Sequence, residues 1–108
     1  MRKEQRLKRA ADFSIVLGRG RRWSDKLLVA AVHSNGLEST RFGFSISKRV
    51  GSAVVRDRLK RRLREVVTGM NLKAGSDVVI IARKGSGDAG FRQLFESATS
   101  LLARASVV

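Results

Sequence analysis

The sequence predicts an α+β fold, a two-layer sandwich in which about four strands form one sheet and three helices pack on it in the order αβββαβα. Three observations support this prediction. Residues 55–67 and 91–102 repeat apolar side chains at helical spacing. Residues 41–47 alternate apolar and small side chains, as in a strand with one buried face. Residues 77–82 form a continuous apolar run, which is typical of a central strand covered on both faces.

The 108-residue chain is expected to form one domain, 1–108, because a chain of this length can bury most of its apolar surface. Residues 1–9 are mostly charged and are expected to form a mobile basic arm. A short helix is predicted over residues 10–17, ended by Gly18. Residues 19–22 form a basic cluster that we expect in a turn, and residues 26–33 are predicted to form a strand.

The alternating strand sends large side chains to one face and small ones to the other: Phe42, Phe44 and Ile46 against Gly43, Ser45 and Ser47. The large side chains are expected in the core. For the small ones two interpretations remain open. They form an ordinary solvent-facing surface, or they let an extended ligand approach the strand closely.

The C-terminal third is predicted to contain a flexible glycine-rich loop, residues 84–88, and an amphipathic helix. The helix is expected to place its apolar residues on the sheet, and these are Phe91, Leu94, Phe95, Ala98, Leu101 and Leu102.

Half of the chain's net charge of +14 lies between Lys48 and Arg64. This stretch carries a charge of +7, eight basic residues less Asp57. Its apolar residues form one helical stripe, while Ser52 stands at the N-cap position and Gly69 at the C-terminal end. The stripe consists of Val55, Leu59, Leu63, Val66 and Val67.

The basic residues of this helix are predicted to cover its outer surface. Arg56, Lys60 and Arg64 follow one flank at four-residue spacing, and Arg58 and Arg62 follow the other, with Arg61 between them. Like charges at this spacing repel one another by a few tenths of a kcal/mol per pair. A plain solvated surface leaves that repulsion unexplained, whereas a polyanion would neutralise it. We therefore favour phosphate binding, for which the planar guanidinium group is well suited.

The composition restricts the class of protein further. The chain has no cysteine, which excludes disulfides and thiolate metal sites and suits a cytoplasmic protein. No apolar run approaches the ~20 residues of a membrane span, and no signal-peptide core follows the N-terminus. A pI of 11.8 favours a nucleic-acid partner, with an anionic membrane surface second, and no membrane partner is expected.

The sequence contains no recognisable catalytic constellation, so no catalytic residue and no metal ligand is predicted. His33 is the single histidine and has no nucleophile or carboxylate beside it. The nine acids are scattered, without the paired spacing of a two-metal nuclease. Residues 85–87 lack the Lys-Ser/Thr ending of a phosphate-binding NTP loop. The residues alone do not separate RNA from DNA, although an arginine-crowded helix favours backbone contact over base readout.

The segment that resembles a known family is residues 42–65, FGFSISKRVGSAVVRDRLKRRLRE. It is similar to the signature of the bacterial ribonuclease P protein component. In that family a glycine-serine strand leads through a Lys-Lys/Arg-x-Gly-Asn turn into a helix carrying Arg-Asn-Arg-x-Lys-Arg. Further matches lie at residues 6–9, 12–13 and 80–83.

The resemblance implies a fold shared with the second domain of a small-subunit ribosomal protein and with a domain of translation elongation factor G, including a left-handed βαβ crossover. It also implies the function of a ribonuclease P protein subunit. Such a protein binds the catalytic RNA and the 5′ leader of precursor tRNA, and the RNA cleaves the leader with magnesium that it holds itself. The protein is expected to be a monomer within this ribonucleoprotein. The rival hypotheses are a structural RNA-binding protein of ribosomal type and a protein-only nuclease.

Carried over by position, the resemblance implies two sets of site residues. The residues expected at the catalytic RNA are Lys48, Arg49, Ser52, Arg56, Arg58, Lys60, Arg61 and Arg62. The residues expected in a cleft for the leader, between the first helix and the sheet, are Arg9, Phe13, Leu17, Ala30 and Ser45. Asp57 stands where the family usually has asparagine, and we expect it to orient Arg61 four residues later.

Overall fold

The computed structural model describes residues 1–108 and contains the predicted succession of three helices and four strands. In chain order these are α1 (Ala10–Arg19), β1 (Arg21–Ser24), β2 (Leu28–Ser34), β3 (Arg41–Ser45), α2 (Ala53–Thr68), β4 (Ser76–Ala82) and α3 (Phe91–Arg104). The predicted α+β class and element order are confirmed.

The four strands form one mixed sheet in the order β1-β2-β4-β3. Strand β2 is antiparallel to β1 and to β4, while β3 is parallel to β4. Two parallel neighbours need a crossover connection, and α2 supplies it. Strand β4 is central, as its continuous apolar sequence predicted, and β3 is an edge strand. The left-handed sense of the crossover stays a prediction.

The two faces of the sheet are covered unequally. Helices α2 and α3 pack on one face and enclose a cluster of 16 buried residues that includes Leu28, Phe42 and Ile80. On the opposite face α1 covers a cluster of only four buried residues, Leu7, Val16, Ala31 and Val79. A single helix of ten residues cannot cover a four-stranded sheet, so part of this second face stays open.

Helix α2 forms and packs as its sequence predicted. The Ser52 hydroxyl accepts a hydrogen bond from the Val55 amide at 3.3 Å and caps the N-terminus, and Gly69 follows the last turn. Four residues of the apolar stripe are buried and each contributes roughly 1.5–3 kcal/mol to folding; they are Leu59, Leu63, Val66 and Val67. The opposite surface of α2 is therefore fixed toward solvent.

Helix α1 does not end at Gly18 as predicted but continues to Arg19. Gly20 is the C-cap, with an extended backbone and an amide that donates a 2.8 Å hydrogen bond to the Val16 carbonyl oxygen. The chain is packed too closely there for a Cβ, which would lie 2.9 Å from the Val32 carbonyl oxygen. Gly18 has open space around it and is only a solvent-facing helical residue. The basic residues Arg21 and Arg22, expected in a turn, begin strand β1.

The N-terminal segment, predicted to be a mobile basic arm, contacts the rest of the fold at Arg6 and Leu7. The mobility of its other residues stays a prediction. Leu7 is buried beneath α1, and its amide donates a hydrogen bond of 2.9 Å to the Phe42 carbonyl oxygen. Arg6 is thereby paired with the edge of β3. The buried leucine holds residues that are otherwise charged and solvent-exposed.

The C-terminal third requires two corrections. The loop expected to be flexible contains a turn of 3-10 helix in which Ser86 is fully buried and donates a 2.6 Å hydrogen bond to the Arg83 carbonyl oxygen. In α3, Leu94, Ala98, Leu101 and Leu102 are buried as predicted. Phe91 and Phe95 are not, with 44% and 40% of their surface exposed.

Candidate nucleic-acid interface

The outer surface of α2 presents most of the predicted RNA-contacting residues to solvent. Arg58, Lys60 and Arg61 are exposed, and Arg56 and Arg62 are half-buried at the two flanks. Lys48 and Arg49 lie in a turn of 3-10 helix ahead of α2 and are exposed, as is the capping residue Ser52. The structure therefore brings this whole set onto one continuous surface.

The protein's own acids neutralise almost none of this charge. The ion pair within α2 joins Arg61 Nε to Asp57 Oδ2 at 3.8 Å, as expected for their four-residue spacing. Both side chains are mostly exposed, 68% and 74%, so the pair contributes only about 0.3–0.5 kcal/mol. Asp57 lies within ion-pair distance of Arg61 and leaves its guanidinium exposed to solvent. The surface consequently retains a strong positive potential that suits a polyanion.

A groove runs between α2 and the edge strand, and we call it the strand-side groove. It has a volume of about 270 Å³ and is lined by Phe44, Ile46, Ala53, Arg56, Asp57 and Lys60. The Nε of Arg56 is buried here and has no hydrogen-bond partner within the protein. A buried N–H without an acceptor is unfavourable, and a phosphate oxygen is an acceptor of the right charge.

A second groove runs between α2 and α3, and we call it the helix-side groove. It has a volume of about 350 Å³ and is lined by Arg58, Arg61, Arg62, Glu65 and Phe91. The Nη1 of Arg62 donates a 3.0 Å hydrogen bond to the carbonyl oxygen of buried Ala89, which ties α2 to the segment before α3. The predicted flanks of basic residues thus border two different grooves.

The sheet face beneath α1 answers, for Gly43, the question left open for the small residues of β3. At Gly43, a Cβ would lie 2.3 Å from the ring of Phe13. The glycine therefore admits an aromatic ring of the protein itself, rather than solvent or a ligand. Gly43 belongs to a cross-strand row with Val79 and Ala31, which α1 covers.

The next row across the same face is left partly open by α1. Its members pair directly across all four strands and are Ser45, Ile81, Val29 and Ser24. Ser24 is exposed and the other three are half-buried. We use the term cleft for this partly open row together with Phe13 and Leu17 of α1, which are half-buried and pack on the neighbouring covered cluster.

Of the residues predicted for the cleft, Phe13, Leu17 and Ser45 lie at it, and Arg9 is exposed next to the start of α1. Ala30 does not. It is fully buried on the opposite face, in the core beneath α2 and α3. The residues that replace it are Val29 and Ile81. The segment around Ala30 is apolar at every position, so alternation could not show which residues face α1.

A largely buried ion pair fixes the start of the edge strand β3. Arg41 donates to both carboxylate oxygens of Asp77, at 2.8 Å and 2.6 Å, and the side-chain amide of Asn35 donates to the same carboxylate at 2.8 Å. Burial alone would raise the pKa of Asp77, but the hydrogen bonds from Arg41 and Asn35 outweigh it and hold the pKa below its usual range. This pair joins the start of β3 to the start of β4.

Four of the nine acids lie in ion pairs with arginines, and they are Asp12, Asp57, Asp77 and Glu96. No group of three or more His, Asp or Glu side chains is arranged to hold a metal ion. No helix is long and apolar enough to cross a bilayer.

Three comparisons with known proteins agree with one another. The model of the family described as Ribonuclease P matches residues 1–106. The ribonuclease P protein component of Clostridium novyi is 37% identical over 111 residues, covering 99% of this chain and 98% of that protein. The solved structure of the Staphylococcus aureus RNase P protein has a TM-score of 0.86 at 31% identity, covering 95% of this chain and 96% of that one.

The RNase P protein from Thermotoga maritima is similar as well, with a TM-score of 0.84 at 28% identity over 92% of this chain and 96% of that one. The agreement extends along nearly the whole length of each relative, and includes the helix that carries the arginines. The chain belongs to the family of bacterial ribonuclease P protein components.

Proposed function

We propose that this protein binds the catalytic RNA of ribonuclease P through the outer surface of α2 and holds the 5′ leader of precursor tRNA in the cleft beside α1. The observation that carries the proposal is the arginine surface of α2. It is fixed toward solvent by a buried apolar stripe and is left almost without internal counter-charges. RNA phosphates supply those charges, and bidentate guanidinium contacts hold them in a defined position.

The cleft suits a single extended strand of RNA. Its floor is the row of Ser45, Ile81, Val29 and Ser24, which offers two hydroxyl groups and two apolar side chains but no charge. The ring of Phe13 stands beside it and offers a face on which a base can stack. Arg9 and Arg6 near the start of α1 provide charge for the backbone of the same strand. These features bind RNA without reading a particular sequence.

In this proposal the magnesium ions and the hydrolytic chemistry belong to the RNA. The engagement of Asp77 by Arg41, and of Asp57 and Glu96 by arginines on their own helices, supports this division between protein and RNA. The protein's part is to hold RNA strands and screen their mutual repulsion. That part is most important when magnesium is scarce.

Reconstitution tests the proposal directly. Adding the protein to a bacterial ribonuclease P catalytic RNA at low magnesium should restore precursor tRNA cleavage, and an absence of rescue would contradict it. The double variant Arg58→Ala/Arg61→Ala should rescue poorly. A matched control, Lys73→Ala/Arg104→Ala, removes the same charge from exposed positions outside α2 and should rescue like the unaltered protein. Cleavage without added RNA would indicate a protein-only nuclease instead.

The leader contact is tested separately by comparing precursor tRNA with mature tRNA, which has no leader. Ser45→Asp places a negative charge on the cleft floor. It should weaken binding of the precursor by the assembled complex and leave binding of mature tRNA unchanged. Equal effects on both would remove the cleft from the leader path.

A further inference from the structure

Two aromatic rings on the surface of α3 are not explained by the core or by the two contacts proposed above. Phe91 and Phe95 stack on each other with ring centroids 6.4 Å apart and planes inclined by 20°, and both remain about 40% exposed or more. The other apolar residues of the α3 stripe are buried. Rings left in water at the first turns of a helix form an unpartnered apolar surface.

The surroundings of Phe91 show what could cover it. Phe91 forms one wall of the helix-side groove, and the other walls carry Arg58, Arg61 and Arg62 against a single acid, Glu65. A second copy of this chain, with its own charge of +14, would be repelled from such a site. A neutral apolar partner would leave the guanidinium groups of Arg58 and Arg61 without an anion. A nucleotide offers both a flat ring for the phenylalanine and a phosphate for the arginines.

The groove is held in a fixed shape before any ligand arrives. Arg62 is bonded to the Ala89 carbonyl oxygen at 3.0 Å. The turn leading into α3 is buried at Ser86, and Gly87 is so close to Val50 and Val55 that a Cβ there would lie 2.8 Å from the Val55 side chain. The backbone that carries Phe91 is therefore packed against α2, and a ligand is not required to bring Phe91 to the arginine-bearing helix.

We propose that the helix-side groove binds one unpaired nucleotide of the catalytic RNA, with its base stacked on Phe91, its phosphate held by Arg58 and Arg61, and Phe95 supporting the ring from behind. This inference rests on the proposed function and extends it. The RNA contact is not confined to the basic helix but crosses to the start of α3, and one part of it is aromatic stacking rather than phosphate binding.

The test uses the full-length protein and the catalytic RNA without tRNA. Phe91→Leu keeps an apolar side chain but removes the aromatic face, and should weaken RNA binding roughly 5- to 100-fold, the range for loss of one stacked base. Because no phosphate contact is lost, the slope of log affinity against log salt should not change. Phe91→Trp should restore binding. Leu37→Ala, at another exposed apolar residue with 47% exposure, is the matched control and should bind normally.

A fluorescence measurement reports on stacking even if Phe91→Leu alters stability. In the variant Trp23→Phe/Phe91→Trp the introduced ring is the only tryptophan, since Trp23 is the only natural one. Its emission should be quenched as RNA saturates the protein. Unchanged emission at saturation, normal RNA affinity of Phe91→Leu, or a protein dimer that Phe91→Leu dissociates would each overturn the inference. Failure of the unaltered protein to bind the RNA would instead contradict the proposed function.

Discussion

Helix α2 has two flanks with similar charge and different construction. On the strand side, Arg56 lies against Phe44 and Ile46, with its Nε buried and unpaired. On the helix side, the half-buried arginine is Arg62, and its guanidinium is already bonded to Ala89. On the strand side, the Nε donor of Arg56 is therefore available to a ligand. On the helix side, a donor of Arg62 already stabilises the fold. Charge alone therefore does not identify the arginines that bind RNA. The hydrogen bonds that each arginine makes within the protein must be known as well.

The largest expected effect is on the free energy of unfolding, and it concerns the ion pair of Arg41 and Asp77 that holds strand β3. Breaking a buried ion pair costs about 3–5 kcal/mol, and since Asp77 and Arg41 are 10% and 25% exposed, we expect Asp77→Asn to lower the free energy of unfolding by roughly 2–3 kcal/mol. Urea unfolding at neutral pH measures this. Asp57→Asn, which breaks only the exposed pair on α2, is the control and should change stability by no more than about 0.5 kcal/mol. Equal effects would show that the buried pair does not hold β3.

The same residue should govern part of the acid unfolding. The pKa of Asp77 is lower in the folded protein than in the unfolded chain. Its contribution to stability is therefore complete above the unfolded pKa of about 3.9 and is lost as the pH falls through the folded value. Asp77→Asn should flatten the fall in stability below about pH 4. An unchanged acid profile would contradict the assignment.

The second expected effect is on RNA affinity at the strand side. Arg56→Ala should weaken binding of the catalytic RNA about 10- to 100-fold, as expected for a charged hydrogen bond worth about 1.5–3 kcal/mol. Arg58→Ala should weaken it less, because the exposed Arg58 guanidinium must lose water to bind while the buried Nε of Arg56 has already lost it. Each variant should reduce the salt slope by about 0.7–0.9. If Arg56→Ala leaves that slope unchanged, its guanidinium meets no phosphate.

The third expected effect separates the structural arginine from the binding ones. Arg62→Ala leaves the carbonyl oxygen of buried Ala89 without its donor, so we expect a loss of about 1–3 kcal/mol in the free energy of unfolding. Arg58→Ala, four residues earlier on the same flank, removes the same charge without removing an internal hydrogen bond. Its stability should change by less than about 0.5 kcal/mol. Denaturation of the two variants side by side makes the comparison, and equal stabilities would place Arg62 among the purely surface residues.

Features of the fold that depend on local sequence patterns were predictable, and features that depend on tertiary contacts were not. Helix α2 and strand β4 were predictable because their patterns are local: a helical stripe in one and an unbroken apolar run in the other. Residues 27–32 are apolar at every position, so nothing local showed that Val29 faces the cleft while Ala30 lies in the core. Gly20 rather than Gly18 caps α1, and its close approach to a carbonyl of β2 is a tertiary contact that no local pattern reveals.

The candidate site shows the same division. The basic surface of α2 followed from spacing and was found with its cap and both flanks. The exposure of Phe91 and Phe95 could not be predicted from spacing, because their apolar spacing continues that of buried residues. Only the position of α3 beside α2 determines how far this apolar stripe is covered. The pair of Arg41 and Asp77 was also missed, since residues 36 positions apart give no local signal.

The smallest expected effect tests the unpaired Nε of Arg56 with a simple anion. Sulfate that binds the folded protein should raise its melting temperature, and at tenfold excess over the dissociation constant the gain in stability is about 1.4 kcal/mol. If the strand-side groove holds the anion, Arg56→Ala should lose most of this gain, whereas Arg58→Ala should lose little. The same concentration series with sodium chloride separates site binding from general screening of the +14 charge. Equal sulfate responses in the two variants would mean that the two flanks bind anions alike, and that the buried donor gives the strand side no advantage.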